Sequence, residues 1–315
     1  MRRSDERGIA LLLTLLVLTL LVALILEFDA EARREYRDAA AFRDNFKATV
    51  LARAGVQAAR GVLQQDFMKD KQTGQFFDAP TDLWAFPITN YAIGDGLLNA
   101  QIEDERGKLN LNDLAAGGDP TARKSKVLRV KRLFELVQVN PDLVDAIVDW
   151  VDQDEVPEAA GAESLHYQTL RPSYRAANAP LDTLLDLRLI KGMTPDIIAK
   201  LSKVVTVYPL EGESRVNMNT ADPLVLQSLD PRITQNMAAE IVQARPYKTI
   251  QELDRVSSFE DIGKELRQRN LYDIKSDLFL ARMMVRVNEV IRNATVVLRR
   301  DPNSGTGTVL YYRVL

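Results

Sequence analysis

The sequence predicts an α+β protein with a very long N-terminal helix, a small antiparallel sheet, and a large all-helical domain inserted into that sheet. Three observations predict it. An unbroken apolar run over residues 9–26 passes, with no proline before Pro80, into a helical pattern that lasts to about residue 69. Segments rich in β-branched and apolar residues lie at 84–92 and 97–105, and again at 280–287, 291–299 and 309–314. Between them, residues 113–275 carry helical spacing, as in Leu143, Ile147 and Val151.

The apolar run is long enough to cross the hydrocarbon core of a bilayer as a helix. Arg2, Arg3 and Arg7 precede it, and Glu27, Asp29 and Glu31 follow. That asymmetry places the N terminus in the cytoplasm and the remainder outside. A cleaved secretory signal is the competing reading, with Ala30 and Ala32 as a weak small-x-small site. Against it, the helical pattern continues past that point. Phe42, Phe46, Val50, Ala54, Ala58 and Val62 recur every fourth residue, Leu51 and Leu63 widen the stripe, and together they predict the buried side of the helix. An anchor continuous with this helix is the simpler reading.

The later strands follow from pattern and turns. Gly94-Asp95-Gly96 separates the first two, and the stretch from Asp301 to Gly307, with proline, asparagine and two glycines, joins the last two as a hairpin. Two or three strands alone are marginal, so the outer segments are expected to form one sheet with the helical block inserted. That block contains a weak repeat. Lys108-Leu109-Asn110-Leu111-Asn112 is echoed by Arg215-Val216-Asn217-Met218-Asn219, and Asn140-Pro141-Asp142 by Asp230-Pro231-Arg232.

Composition removes several function classes. The chain has 315 residues, no cysteine and one histidine, His166, which excludes thiolate chemistry and multi-histidine metal sites. No nucleophile–base pair or phosphate loop stands out, so no catalytic residue is assigned. The second repeat resembles a helix-hairpin-helix motif, which raises a membrane-anchored DNA receptor of a competence or type IV pilus system as an alternative. Its hairpin at Asp230-Pro231-Arg232 lacks the glycines that let backbone amides reach a phosphate. Residues 113–275 hold 21 basic and 25 acidic side chains, a poor match to a polyanion. No nucleic acid is expected as a partner.

One stretch points to a cation. Residues 133–170 carry nine carboxylates and no lysine or arginine. Such crowding is relieved by solvation, protonation or a bridging ion. Ca²⁺ would accept these oxygen ligands from a flexible loop, whereas a solvated acidic face needs no ion. The residues alone leave both open.

Several motifs carry a family resemblance. Arg7-Gly8-Ile9-Ala10-Leu11 resembles a type IV prepilin signal, which implies cleavage and N-methylation between Gly8 and Ile9 by a prepilin peptidase. Leu13 stands where most pilins have glutamate at the fifth mature position. Ile147-Val148-Asp149-Trp150-Val151-Asp152-Gln153-Asp154, the Gly161-Ala162-Glu163 turn and Tyr174-Arg175-Ala176-Ala177-Asn178 resemble the K-type minor pseudopilins of type II secretion. The resemblance implies a leader (1–8), a transmembrane helix (9–26), a pilin-like α/β domain (27–112 and 276–315), and an inserted domain (113–275) of two helix-hairpin-helix or SAM-like units. It also implies structural calcium held among Asp152, Asp154, Glu163 and Asn178. The implied role is non-enzymatic, at the tip of the pseudopilus, with minor pseudopilins of types I, J and H and the inner-membrane secretion platform as partners. A bulky insertion above a filament-core helix would collide with any subunit stacked over it, which suits the tip.

Overall fold

The computed structural model describes residues 3–115, 119–210 and 214–315. Helix α1 (Arg3–Thr73) extends roughly 107 Å at 1.5 Å per residue. Met1 and Arg2 of the expected leader lie outside the described residues. The apolar first third of α1 is covered by no other part of the chain and is long and apolar enough to cross a membrane.

The upper part of α1 packs on the sheet through a face rotated from the main predicted stripe: of the predicted residues Leu63 is buried and Leu51 and Val62 are partly buried against the same core. Ala48, Ala52, Val56, Ala59, Leu63 and Phe67 are buried, while Phe42 and Phe46 are 75% and 64% exposed and Val50 is also exposed. The reason is the closeness of the contact. A Cβ at Gly55 would sit 2.6 Å from the Met283 sulfur, so only small side chains fit along much of this seam.

After α1 a short 3₁₀ turn at Leu83–Ala85 leads to β1 (Ile88–Ile93) and β2 (Gly96–Asp104). The strand expected over 84–92 is therefore shorter. Pro87 cannot donate to a ladder, and Trp84 lies in the turn, buried edge-on against Phe279 with ring centroids 5.2 Å apart.

The chain then leaves the sheet over residues 105–277. This excursion contains α2 (Pro120–Leu136), α3 (Leu143–Val151), α4 (Ser164–Gln168), α5 (Pro195–Leu201), α6 (Pro223–Leu229), α7 (Gln235–Gln243) and α8 (Glu260–Gln268). It is not all-helical. β3 (Leu109–Asn110) pairs in parallel with β4 (Val205–Thr206), and β5 (Val216–Asn217) with β6 (Tyr272–Asp273). Two-residue strands are too short to show alternation in sequence.

The chain returns as β7 (Leu278–Val287), β8 (Val290–Arg300) and β9 (Gly307–Val314). The antiparallel sheet has the order β1-β2-β7-β8-β9. β2 and β7 are direct neighbours, with Asp104 opposite Phe279, so the insertion replaces what would be a hairpin loop. Its root is closed by the Glu105 amide donating to the Leu278 carbonyl at 2.9 Å.

The sequence repeat is a structural one. The Asn112 amide group donates to the Leu181 and Val207 carbonyls, and its oxygen accepts from the Leu181 amide at 2.7 Å. Asn219 clips Tyr247 the same way, donating to its carbonyl at 2.9 Å and accepting from its amide at 2.8 Å. Each clipped residue precedes a 3₁₀ turn, at Leu184–Leu189 and Ile250–Arg255. Asn219→Ala would leave the Tyr247 amide and carbonyl buried and unpaired. It should lower stability by about 2–4 kcal/mol in urea denaturation, and Asn219→Asp should not restore the loss, because a carboxylate cannot donate to the carbonyl.

Candidate cation site

The acidic stretch sits where the two repeats differ. The second copy joins α7 to its clipped Tyr247 through residues 244–246; the first joins α3 to Leu181 through residues 152–180. The extra length forms a loop with only the single-turn-scale helix α4 inside it. An aromatic group backs this loop. Trp150 meets Tyr167 edge-on at 5.2 Å, Tyr167 stacks on Tyr174 at 5.2 Å, and the Tyr174 hydroxyl donates to the Leu189 carbonyl.

Asp152 caps the C-terminal end of α3, and Glu163 precedes α4. Asp152, Asp154 and Glu163 each present one carboxylate oxygen within 4.8 Å of the others. Asn178 sits in the left-handed region at φ 45°. Its nitrogen donates to the Asp154 carbonyl at 3.2 Å and to Glu155 at 3.1 Å, which leaves its oxygen buried without a donor. Asp152 Oδ1 and both Glu163 oxygens are also buried without a donor. Carboxylate oxygens gathered without donors to satisfy them are what a hard cation can use. The donor set is all oxygen, which fits Ca²⁺ better than a transition metal.

The electrostatics agree. Burial, followed by the charges of Asp149, Glu155, Asp152 and Asp154, pushes the Glu163 carboxyl up to about 7. Burial and then Asp154 push Asp152 up, opposed by Arg123. Arg123 binds the second oxygen of Asp152 at 2.5 Å, so part of the charge is already compensated from α2. Lys131 pairs with Asp145 at 2.6 Å, and Lys191 donates to the Gly161 carbonyl at 2.9 Å. These counter-ions lie outside residues 133–170, which is why that window reads as uncompensated.

Asp145 and Asp149 lie outside this group of three, although Asp149 Oδ2 is also buried without a donor. Asp149 Oδ1 accepts the Glu158 amide at 3.0 Å, and Asp145 Oδ2 the Ala160 amide at 3.3 Å, so both fasten the loop to α3. Gly161 lies so close that a Cβ there would fall 1.8 Å from Asp149. Sequence reasoning did not single out Glu155, which accepts from Ser164 at 2.9 Å as well as from Asn178. Nothing in its spacing separates it from its acidic neighbours.

The second hairpin offers no phosphate cradle. The Arg232 amide is taken by Asp230 Oδ1 and the Ile233 amide by the Asp230 carbonyl. The Arg232 guanidinium is held by Asp230 and Glu265, and Arg132 covers the Gln227 and Pro231 carbonyls. The groups a DNA phosphate would use are engaged within the protein.

Comparison with known proteins agrees with this architecture. Two family models described as type II secretion system protein K match residues 107–210 and 216–275. Type II secretion system protein K of Klebsiella pneumoniae is 31% identical over 76% of this chain and 75% of its own length. That of Pseudomonas aeruginosa is 30% identical, covering 84% and 78%. A chain in the crystal structure of the GspK-GspI-GspJ complex from enterotoxigenic Escherichia coli superposes with a TM-score of 0.71 at 19% identity, over 91% of this chain and 99% of that one. With both repeat units matched by the family models and two relatives at 30% identity or more across at least three quarters of the chain, the chain belongs to the type II secretion system protein K family.

Proposed function

We propose that this chain is the minor pseudopilin at the tip of the type II secretion pseudopilus, where it helps start filament assembly and so the export of folded periplasmic proteins. One observation carries this reading. α1 buries an alanine-rich face on its own sheet and leaves Phe42, Phe46 and Val50 uncovered, while the insertion is fastened to the segment just after its far end through the Asp78 amide and carbonyl. The free aromatic flank suits lateral packing against the helices of other minor pseudopilins, of types I, J and H. The insertion, at the end far from the apolar anchor, leaves no room for a subunit above it.

In this reading α1 is a single-pass anchor in the bacterial inner membrane, with a cytoplasmic N terminus and a periplasmic main domain. A prepilin peptidase cleaves between Gly8 and Ile9, and the inner-membrane platform receives the mature chain. Structural Ca²⁺ is held by Asp152, Asp154, Glu163 and Asn178, and the ion fixes the long loop of the first repeat. The role is structural rather than catalytic.

Three measurements test these statements. Mass spectrometry should find a mature chain that begins at Ile9, and Gly8→Val should leave the leader attached; a terminus after Ala32 would overturn the anchor. Phe42→Ser with Phe46→Ser should abolish co-purification with the other minor pseudopilins yet change the chain's own stability by less than about 0.5 kcal/mol, because both rings are exposed.

The calcium test uses sign as well as size. Binding to the folded state alone stabilises by about 2.7 kcal/mol at a hundredfold excess over Kd. Glu163→Gln should raise the melting temperature in chelator, where it removes a crowded carboxylate, and lower it in calcium, where it removes a ligand. Because Glu163 is held near 7, above its unfolded value, the ion-free protein is favoured by protonation and loses that contribution as pH rises through about 7. The stabilisation by calcium should therefore grow from pH 6 to pH 8, by about this linkage. A response equal to that in sodium at matched ionic strength would make the loop an ordinary acidic surface.

A further inference from the structure

A second group of carboxylates lies far from the calcium loop, where the end of α1 meets the root of the insertion. Asp66 and Asp70 come from the last turns of α1, Asp78 and Asp82 from the segment that follows, and Asp104 from the end of β2. All are buried, at 2%, 8%, 1%, 6% and 8% exposure. One buried guanidinium faces them. Arg300, at the end of β8, has Nη2 at 2.6 Å from both oxygens of Asp78 and 2.8 Å from the Ser276 carbonyl, and Nη1 at 3.4 Å from Asp66. Its guanidinium stands 4.9 Å from the centre of the Phe279 ring. Lys69, exposed on α1, is the other cation whose charge reaches Asp66 and Asp82.

The five acids are not equally provided for. Asp78 has the guanidinium and the Ser276 amide at 2.7 Å. Asp82 takes the Ala79 amide at 2.7 Å. Asp104 takes the Ser276 and Thr220 hydroxyls at 2.5 Å each and the Asn217 amide group at 2.9 Å. Asp66 has only the long contact to Arg300, and the Asp70 carboxylate accepts no hydrogen bond among the described residues. Asp66 and Asp70 are also one helical turn apart on the same buried side, where two negative charges repel. Burial first, then the neighbouring aspartates, pushes Asp66 up to about 6 and Asp70 up to about 7.

We propose that Asp66 and Asp70 form a proton-operated clasp: proton uptake around neutral pH ties the end of α1 to the root of the inserted domain, and proton loss loosens that joint. The groups involved lie on every element that meets there. Ser276 and Asn217 belong to the insertion, Asp104 and Arg300 to the sheet, and the remaining acids to α1 and the segment after it. With both acids neutral, Arg300 has Asp78 as its ionised partner, while Asp82 and Asp104, the latter itself pushed up to about 6 by burial, keep the hydrogen bonds given above. With both ionised, α1 adds two charges at a joint where Arg300 already serves Asp78; Asp70 lines a cavity of about 560 Å³ with Arg106, Arg215, Asp273, Lys275, Asp277 and Arg299, so its charge draws water and these side chains into the joint and loosens it.

The sign is opposite to that of ordinary paired carboxylates. A carboxyl held above its unfolded value near 4 binds protons more readily in the folded state. It contributes stability at low pH, and that contribution is lost as pH rises through about 6 to 7. The full-length chain in detergent micelles, with calcium saturating so that the loop stays occupied, should therefore melt several degrees higher at about pH 5.5 than at about pH 8. Hydrogen exchange over residues 67–82 should slow in parallel. Asp66→Asn with Asp70→Asn should raise the melting temperature at the higher pH and flatten the profile. Glu163 is present in every protein compared, so its own titration cancels in the difference. An unchanged slope in the double variant overturns the clasp. Should the double variant not fold, Asp70→Asn alone carries the test, since its carboxylate breaks no hydrogen bond, and it must flatten the upper half of the profile. The wild type near pH 6.5 should also show a buried carboxylic-acid band in infrared difference spectra that Asp70→Asn removes; its absence overturns the proposal as well.

Discussion

The pairing of β2 with β7 is the constraint on which the rest of the molecule depends. The chain leaves a ladder at Asp104, builds an entire domain, and must re-enter that ladder at Leu278 in register. A hairpin solves this with a short turn; here it is solved with polar anchors. Asn217, from the start of the second repeat, reaches both Asp104 and the carbonyl of Asp78. Arg106 reaches Asp277 at 2.7 Å across the same root. These bonds are buried or partly buried, so each is expensive to break and fixes direction as well as distance.

Hydrophobic packing then divides around that root. The inner face of the sheet belongs to α1, through Leu98, Ala281, Met283 and Val296. The core of the insertion runs on to the outer face through Leu278 and Val297. The two domains therefore share strands rather than a linker, and load on the insertion is passed into β7 and β8. A subunit built this way can carry a large head on a single helix without a flexible neck.

Much of this was legible in the sequence because local signals dominated. A proline-free apolar run gave α1, turn residues gave the β8–β9 hairpin, and the echoed asparagines marked both repeat units. Asp152, Asp154, Glu163 and Asn178 were marked by family resemblance; one carboxylate oxygen from each of the first three lies within 4.8 Å of the others, and Asn178 is hydrogen-bonded to the Asp154 carbonyl beside them. The failures have a common cause: side chains whose partner lies far along the chain. Phe42 and Phe46 look like core until the sheet selects alanine, Trp84 looks like strand until Phe279 claims it, and Arg123, Lys131 and Lys191 look like solvated surface until they meet the acidic loop. Two-residue ladders such as Leu109–Asn110 with Val205–Thr206 carry no periodic signal at all.

The two unequal connections within the duplicated unit have an entropic meaning. The second copy shows that this unit closes well with about three residues between its second helix and its clip. Stretching that link to about thirty raises the closure cost by on the order of 2 kcal/mol. An ion bound well above its Kd contributes an amount of the same order. Under the proposal that Ca²⁺ sits in this loop, the first copy has exchanged a covalently short path for one that a bound ion can shorten, and the order of half the insertion follows the concentration of that ion.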